Sequence, residues 1–149
     1  MTNFAAASYY LPHQAPMVLI DHILQITDEL AEATVEITKE GILAPFLNDQ
    51  NQLPAWFVIE MMAQTIGVWR GQRAGNDIKL GLLLGVRGFT SKYPSYPLAS
   101  VLKITVQLLL QDVRLASFDC QLTIAGEIVA QAKLTVYQPS DQEIKQLIK

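Results

Sequence analysis

The chain has 149 residues, half of them hydrophobic and 17% charged, with a formal net charge of −3. That length is read as one domain, residues 1–149, with one sizeable core, and an acidic balance without any Lys/Arg cluster argues against a nucleic-acid binder. A single cysteine, Cys120, rules out an internal disulfide, and with only two histidines no zinc-ligand spacing exists, so no metal is expected.

The N-terminus, MTNFAAASYYLPHQ, lacks a basic region and a long apolar stretch, so it does not read as a signal peptide. No apolar run reaches about 20 residues uninterrupted, which predicts no membrane span and a cytoplasmic protein. The first ten residues, small and aromatic, suggest a short docking helix. Val18 to Thr27 is rich in β-formers. Asp28 and Glu29 read as a turn, and Leu30 to Ile37 alternates strictly, so the two segments form a hairpin. Residues 38–52 hold Gly41, Pro45, Asn48, Asp49 and Asn51, which is loop chemistry with one turn of helix.

A helix then runs from Pro54 to Gly71 or Gly75, reading LPAWFVIEMMAQTIGVWRG from Leu53, with proline at its start. It is apolar on nearly every face, so it is expected to be enclosed. Glu60 sits in its middle. A glutamate in such a place needs a partner or a task, because burial disfavours its charged form. That is the profile of a general acid or base.

Leu80 to Val86 reads as a strand, followed by Arg87 and Gly88, and Lys92 to Pro97 as a loop stiffened by two prolines. The last third carries three alternating strands. Their apolar faces are Leu102, Ile104, Val106, Leu108, Leu110; then Phe118, Cys120, Leu122, Ile124; then Ile128, Ala130, Ala132, Leu134, Val136. A tight turn at Ala125-Gly126 joins the last two, and Asp141 to Ile148 predicts a terminal helix. The sum is an α+β fold of about six antiparallel strands wrapped around one hydrophobic helix, the hot-dog arrangement. A second subunit is expected to cover what the sheet leaves open.

Three segments resemble the 3-hydroxyacyl-[acyl-carrier-protein] dehydratases, most closely their aryl-polyene-cluster branch. LPHQAPMVLIDHI, residues 11–23, is similar to that family's LPHRxPxLLVDRV. LPAWFVIEMMAQTIG, residues 53–67, is similar to its MPGVLxxEAMAQxxG, and GEIVAQAKLTV, residues 126–136, to its closing strand. The resemblance implies a hot-dog fold and elimination of water from 3-hydroxyacyl thioesters in fatty acid or polyene biosynthesis. It implies no cofactor beyond the phosphopantetheine on the substrate, an acyl carrier protein as partner, and a homodimer or higher homo-oligomer.

By position, Glu60 matches the family's catalytic carboxylate and Gln64 the glutamine that supports it. Ala55 and Trp56 match the helix start whose backbone N–H groups polarise the thioester carbonyl. The family's catalytic histidine, in GHFP eight residues before the motif proline, falls on Phe46 in PFLN. His13, in the Pro-flanked loop LPHQAP, is the candidate replacement, from the same or the neighbouring subunit; the alternative is that it only packs its loop. His22 reads as an edge-of-sheet histidine and Cys120 as a small buried hydrophobe. Trp56, Phe57, Phe46 and Met61 are the candidate tunnel for an acyl chain. Arg70, Arg73, Lys79, Arg87 and Lys92 are candidates for the carrier's phosphate, against a reading as solvated charge. Two other functions remain open: an acyl thioesterase, since fold does not fix chemistry, and a non-catalytic acyl-binding subunit that forms a heteromer with an active dehydratase.

Overall fold

The computed structural model describes residues 18–74 and 82–147. The main sheet has six antiparallel strands: β1 (His22–Ile26), β2 (Leu30–Glu36), β4 (Leu82–Ser91), β6 (Val101–Gln111), β7 (Leu115–Ile124) and β8 (Glu127–Tyr137). Their spatial order is β1-β2-β6-β7-β8-β4. Two short strands, β3 (Leu53–Pro54) and β5 (Ser95–Tyr96), make a separate ribbon. One long helix, α1 (Phe57–Ala74), connects this ribbon to β4, and α2 (Asp141–Leu147) closes the described chain.

Strict alternation makes the sheet. Ala31, Ala33 and Val35 of β2, Leu102, Ile104 and Val106 of β6, and Phe118, Cys120 and Leu122 of β7 are all buried on one face. Cross-strand register aligns them, with Ala33 opposite Ile104 and Ile104 opposite Leu122. The other face carries polar pairs such as Ser117 and Thr135, whose hydroxyls are 3.0 Å apart. Ala125 and Gly126 both have positive φ, 51° and 83°. Two such residues between strands form the tight turn whose twist matches a hairpin.

Helix α1 packs its buried row against β2, β6 and β7. That row is Val58, Met61, Met62, Thr65, Ile66 and Trp69. Trp69 fixes the far end: its ring meets Phe118 edge-on at 5.2 Å, and its indole N–H donates to the Thr27 carbonyl at 3.1 Å. An aromatic pair of this kind adds about 1 kcal/mol beyond area burial. The buried Thr65 hydroxyl donates to the Met61 carbonyl. A second row, Ile59, Glu60, Ala63, Gly67 and Arg70, is only half-buried. The sheet therefore encloses one side of the helix and leaves a stripe open, with Glu60 on it.

Several expectations need correction. The helix begins at Phe57, because Pro54 is held in β3 and Ala55–Trp56 form a turn closed by 3₁₀-type bonds from Val58 and Ile59. The first strand is His22–Ile26, shorter than Val18–Thr27, with an irregularity between Ile23 and Gln25 that leaves Leu24 and His22 exposed and Ile23 buried. β4 runs to Ser91, through Gly88 at φ 63°. The Lys92–Pro97 loop contains β5.

Leu110 is 65% exposed, because a bulge between Leu108 and Leu110 turns it out of the apolar face. Ile128 is exposed while Val129 and Ala130 are both buried, since the β7–β8 register shifts near Thr123. The single turn of helix in the 38–52 loop is a 3₁₀ turn, Ala44–Phe46. The proposed docking helix of the first ten residues lies outside the described chain.

Candidate functional site

The start of α1 is built by long-range contacts. Leu53 and Pro54 pair with Tyr96 and Ser95. The Ala55 amide donates to the Pro94 carbonyl at 2.9 Å, and Ser95 Oγ donates to Gln52 Oε1. These bonds set the direction in which the helix leaves the ribbon. They also change one expectation. The Ala55 N–H, expected to face the thioester, is already engaged by Pro94. Among the described residues the Trp56 and Phe57 amides have no backbone acceptor, so these are the open N–H groups at the positive end of the helix dipole.

Glu60 lies one turn into α1 on its half-open stripe. Gln64, fully buried, donates from Nε2 to Glu60 Oε1 at 3.2 Å. Its own carbonyl oxygen accepts the Leu19 amide at 2.8 Å, a buried bond spanning 45 residues. A backbone N–H at one end settles which way the Gln64 amide points: the oxygen faces Leu19 and the NH₂ faces Glu60. The carboxylate is thus oriented by a group that the N-terminal part of the chain holds in place. The family resemblance pointed to the first half of this relay, Gln64 beside Glu60; nothing local could reveal Leu19 as the second.

Phe46 ends the 3₁₀ turn and packs on Phe57, with ring centroids 5.2 Å apart. Phe57 in turn meets Trp56 at 5.8 Å, and Trp56 is 66% exposed. Where the resemblance puts an imidazole, this chain has an aromatic hydrocarbon surface beside the helix start. Met61 is fully buried in the core. His13 and Lys79 lie outside the described residues. His22 is exposed on β1, on the strand that forms one edge of the sheet.

Of the basic residues, half-buried Arg70 donates to Gln138 Oε1, and burial holds its guanidinium below the usual arginine range. Arg87 is exposed, and Lys92 pairs with Glu127 at 3.0 Å. Among the described residues no group of three His, Cys, Asp or Glu is placed to hold a metal ion. No described helix is long and apolar enough to cross a membrane.

The protein-family model for ApeP-like proteins, described as ApeP dehydratase, matches residues 5–149. A solved structure, the dehydratase heterocomplex ApeI:P from Xenorhabdus doucetiae, contains a chain 39% identical to this one, with 99% of each chain covered and a TM-score of 0.93. The 3-hydroxyacyl-[acyl-carrier-protein] dehydratase FabZ of Polynucleobacter asymbioticus is 29% identical over 127 residues, covering 84% of this chain and 85% of that one. A hypothetical thioesterase from Streptococcus pneumoniae, solved with coenzyme A, is 17% identical with a TM-score of 0.63, covering 80% and 85% of the two chains. At that identity the likeness supports the hot-dog fold alone.

Proposed function

The chain belongs to the ApeP-like dehydratase family, and from that membership we propose that it works in the elimination of water from a 3-hydroxyacyl thioester presented on acyl carrier protein. A base removes a proton from the carbon next to the thioester carbonyl. The electrons move onto the carbonyl oxygen, where the Trp56 amide at the helix start receives the developing charge. They then return to form the C=C bond as the C3–O bond breaks, and an acid protonates the leaving hydroxyl to give water. Glu60 is the acid and His13 the base. Gln64 positions Glu60, and Trp56, Phe57 and Phe46 supply the apolar wall against which the acyl chain lies. No resident cofactor enters this scheme.

The observation that carries the reading is the place of Glu60. It sits on the open stripe of an otherwise enclosed helix, one turn from unengaged amides, and is held by a buried glutamine. His13 is compatible with this by chain length: it lies six positions before Leu19, the residue bonded to Gln64. Six extended residues span at most about 20 Å. The experiment is turnover of a 3-hydroxyacyl carrier protein by the purified chain, read as enoyl absorbance, with His13→Ala alongside. Formation of enoyl product that drops at least a hundredfold in His13→Ala supports the scheme. Release of free thiol in place of enoyl product assigns the protein to thioester hydrolysis.

One observation favours a second reading. Phe46 occupies the position where the family resemblance puts a histidine, and it is packed against Phe57. A subunit with that replacement fits a heteromer in which another dehydratase brings the base, and the chain at 39% identity is solved as part of a dehydratase heterocomplex. In this reading the open stripe on α1 is covered by the other subunit. Turnover only after the second dehydratase is added, unaffected by His13→Ala, selects it.

A further inference from the structure

The half-open stripe of α1 and the turn before it has a period. Trp56, Ala63 and Arg70 stand seven residues apart, and Glu60 and Gly67 repeat the same interval, with Ile59 alongside. Seven residues are two helical turns, about 10 Å. A seam with that repeat is the one along which two helices pack at a shallow angle, side chains of one filling gaps in the other. The rows that meet the sheet, through Val58, Met62, Ile66 and Trp69, are buried on the other side of the helix.

The seam is also complementary to itself. A two-fold axis at Ala63 lays a second, antiparallel copy of the helix on the first. Ile59, four residues before the axis, then faces Gly67 of the partner subunit, four residues after it. A branched side chain thus meets a position that has none. Trp56 faces Arg70 of the partner subunit in the same way. These two ends match in charge. Trp56 is 66% exposed. Arg70 is half-buried, and among the described residues its partner is the neutral Gln138 and no carboxylate. A guanidinium stripped of part of its water and lacking an anion is suited by an indole face, which attracts cations. An axis midway between Ala63 and Gly67 would instead set Arg70 on Glu60 of the partner subunit. That register seals the carboxyl and leaves Trp56 in water.

We propose that a second copy of this chain packs antiparallel on the α1 seam, with Ala63 at the two-fold axis and Arg70 of each copy stacked on Trp56 of the other. The choice of this register rests on the reading of Glu60 as a reachable acid; the pairing itself does not. Each copy then supplies a cation to the outer side of the other's aromatic wall, and Glu60 stays on the flank of the seam.

The test is sedimentation of the full chain, with oxidative cross-linking of Ala63→Cys. The expected result is a dimer that Ala63→Cys converts to a disulfide-linked pair, while wild type, whose Cys120 is buried, gives none. Gly67→Leu, which fills the gap facing Ile59, and Arg70→Gln should each raise the dimer dissociation constant at least tenfold. Ala63→Cys adds a single sulfur atom at a half-exposed position, so it tests the register without a burden on folding. A monomeric wild type, or a dimer in which Ala63→Cys stays unlinked, would overturn the proposal. Linking that needs both Ala63→Cys and Gly67→Cys assigns the other register and overturns it as well. Enoyl turnover is measured on the same samples: product from a monomeric wild type leaves the dehydratase reading standing and removes this pairing. A linked dimer that yields no product, even with a second dehydratase added, keeps the pairing and removes the reaction.

Discussion

Glu60 and Glu143 are both helix carboxylates, and their surroundings differ in origin. Glu143 stands three residues after Ser140, at the start of α2. Its carboxylate accepts the Ser140 amide at 2.9 Å, and Ser140 Oγ accepts the Glu143 amide at 3.2 Å. This is a capping box, written into four consecutive residues. Tyr137 donates to both carboxylate oxygens at 2.8 Å, and Arg114 lies at 3.2 Å. Glu60 accepts a hydrogen bond from Gln64, whose own carbonyl oxygen accepts the Leu19 amide from a distant part of the chain. Glu143 ties down a helix end chiefly through Ser140 and Tyr137, close to it in sequence. Glu60 is aimed by the tertiary fold on a stripe that the sheet leaves open. The same side chain is a structural fastener in one setting and, in the proposed function, a chemical group in the other.

The comparison breaks most sharply at Gln64. Replacing it by Leu leaves the buried Leu19 N–H without its acceptor and removes the donor from Glu60. The expected loss of stability is about 1–3 kcal/mol, read from the urea midpoint, with turnover falling as well. If stability is unchanged, the relay through Leu19 is wrong.

A smaller effect is expected at Glu143. The Ser140 amide, then the Tyr137 hydroxyl, hold its carboxyl below the usual carboxylate range. A group depressed in the folded state stabilises above its unfolded pKa, and that contribution is lost as pH falls through the folded value. The gap in urea midpoint between wild type and Glu143→Gln should therefore be full at neutral pH and shrink below about pH 4. A gap that widens in acid contradicts the capping role.

The least perturbing probe is Cys120. Burial, with Asp119 adjoining, pushes its thiol up to about 12. Since the thiolate is the reactive form, iodoacetamide at pH 8 should label the native protein negligibly and the urea-unfolded protein readily. Rapid native labelling would mean that the sheet face around Phe118 and Leu122 opens more easily than its packing implies.

The sheet was legible in the chain because period-two alternation is a local signal, and the buried sets of β2, β6 and β7 follow it residue by residue. It failed where register changes without a local mark, at Leu110 and at Ile128 beside Val129, because a bulge depends on the opposing strand. The helix was legible from its apolar density. Its first residue was not, since Pro54 reads as a helix start until Ser95 and Tyr96 capture it in a ribbon. At the site, Glu60 stood out by the apolar composition around it, and Gln64 through the family resemblance. The engagement of Ala55 by Pro94 and the Leu19 bond come from segments far apart in sequence, and no periodicity announces them.

The most direct measurement is the rate of enoyl formation from a 3-hydroxyacyl carrier protein by Glu60→Gln against wild type, each with whatever dehydratase subunit the wild type requires. The substitution keeps the size and hydrogen-bonding capacity of the side chain while removing its exchangeable acid. The account predicts a fall of roughly a hundredfold or more, the range lost with a general acid or base, with an unchanged urea midpoint. Full turnover by Glu60→Gln would contradict it and leave Glu60 a structural residue of the same kind as Glu143.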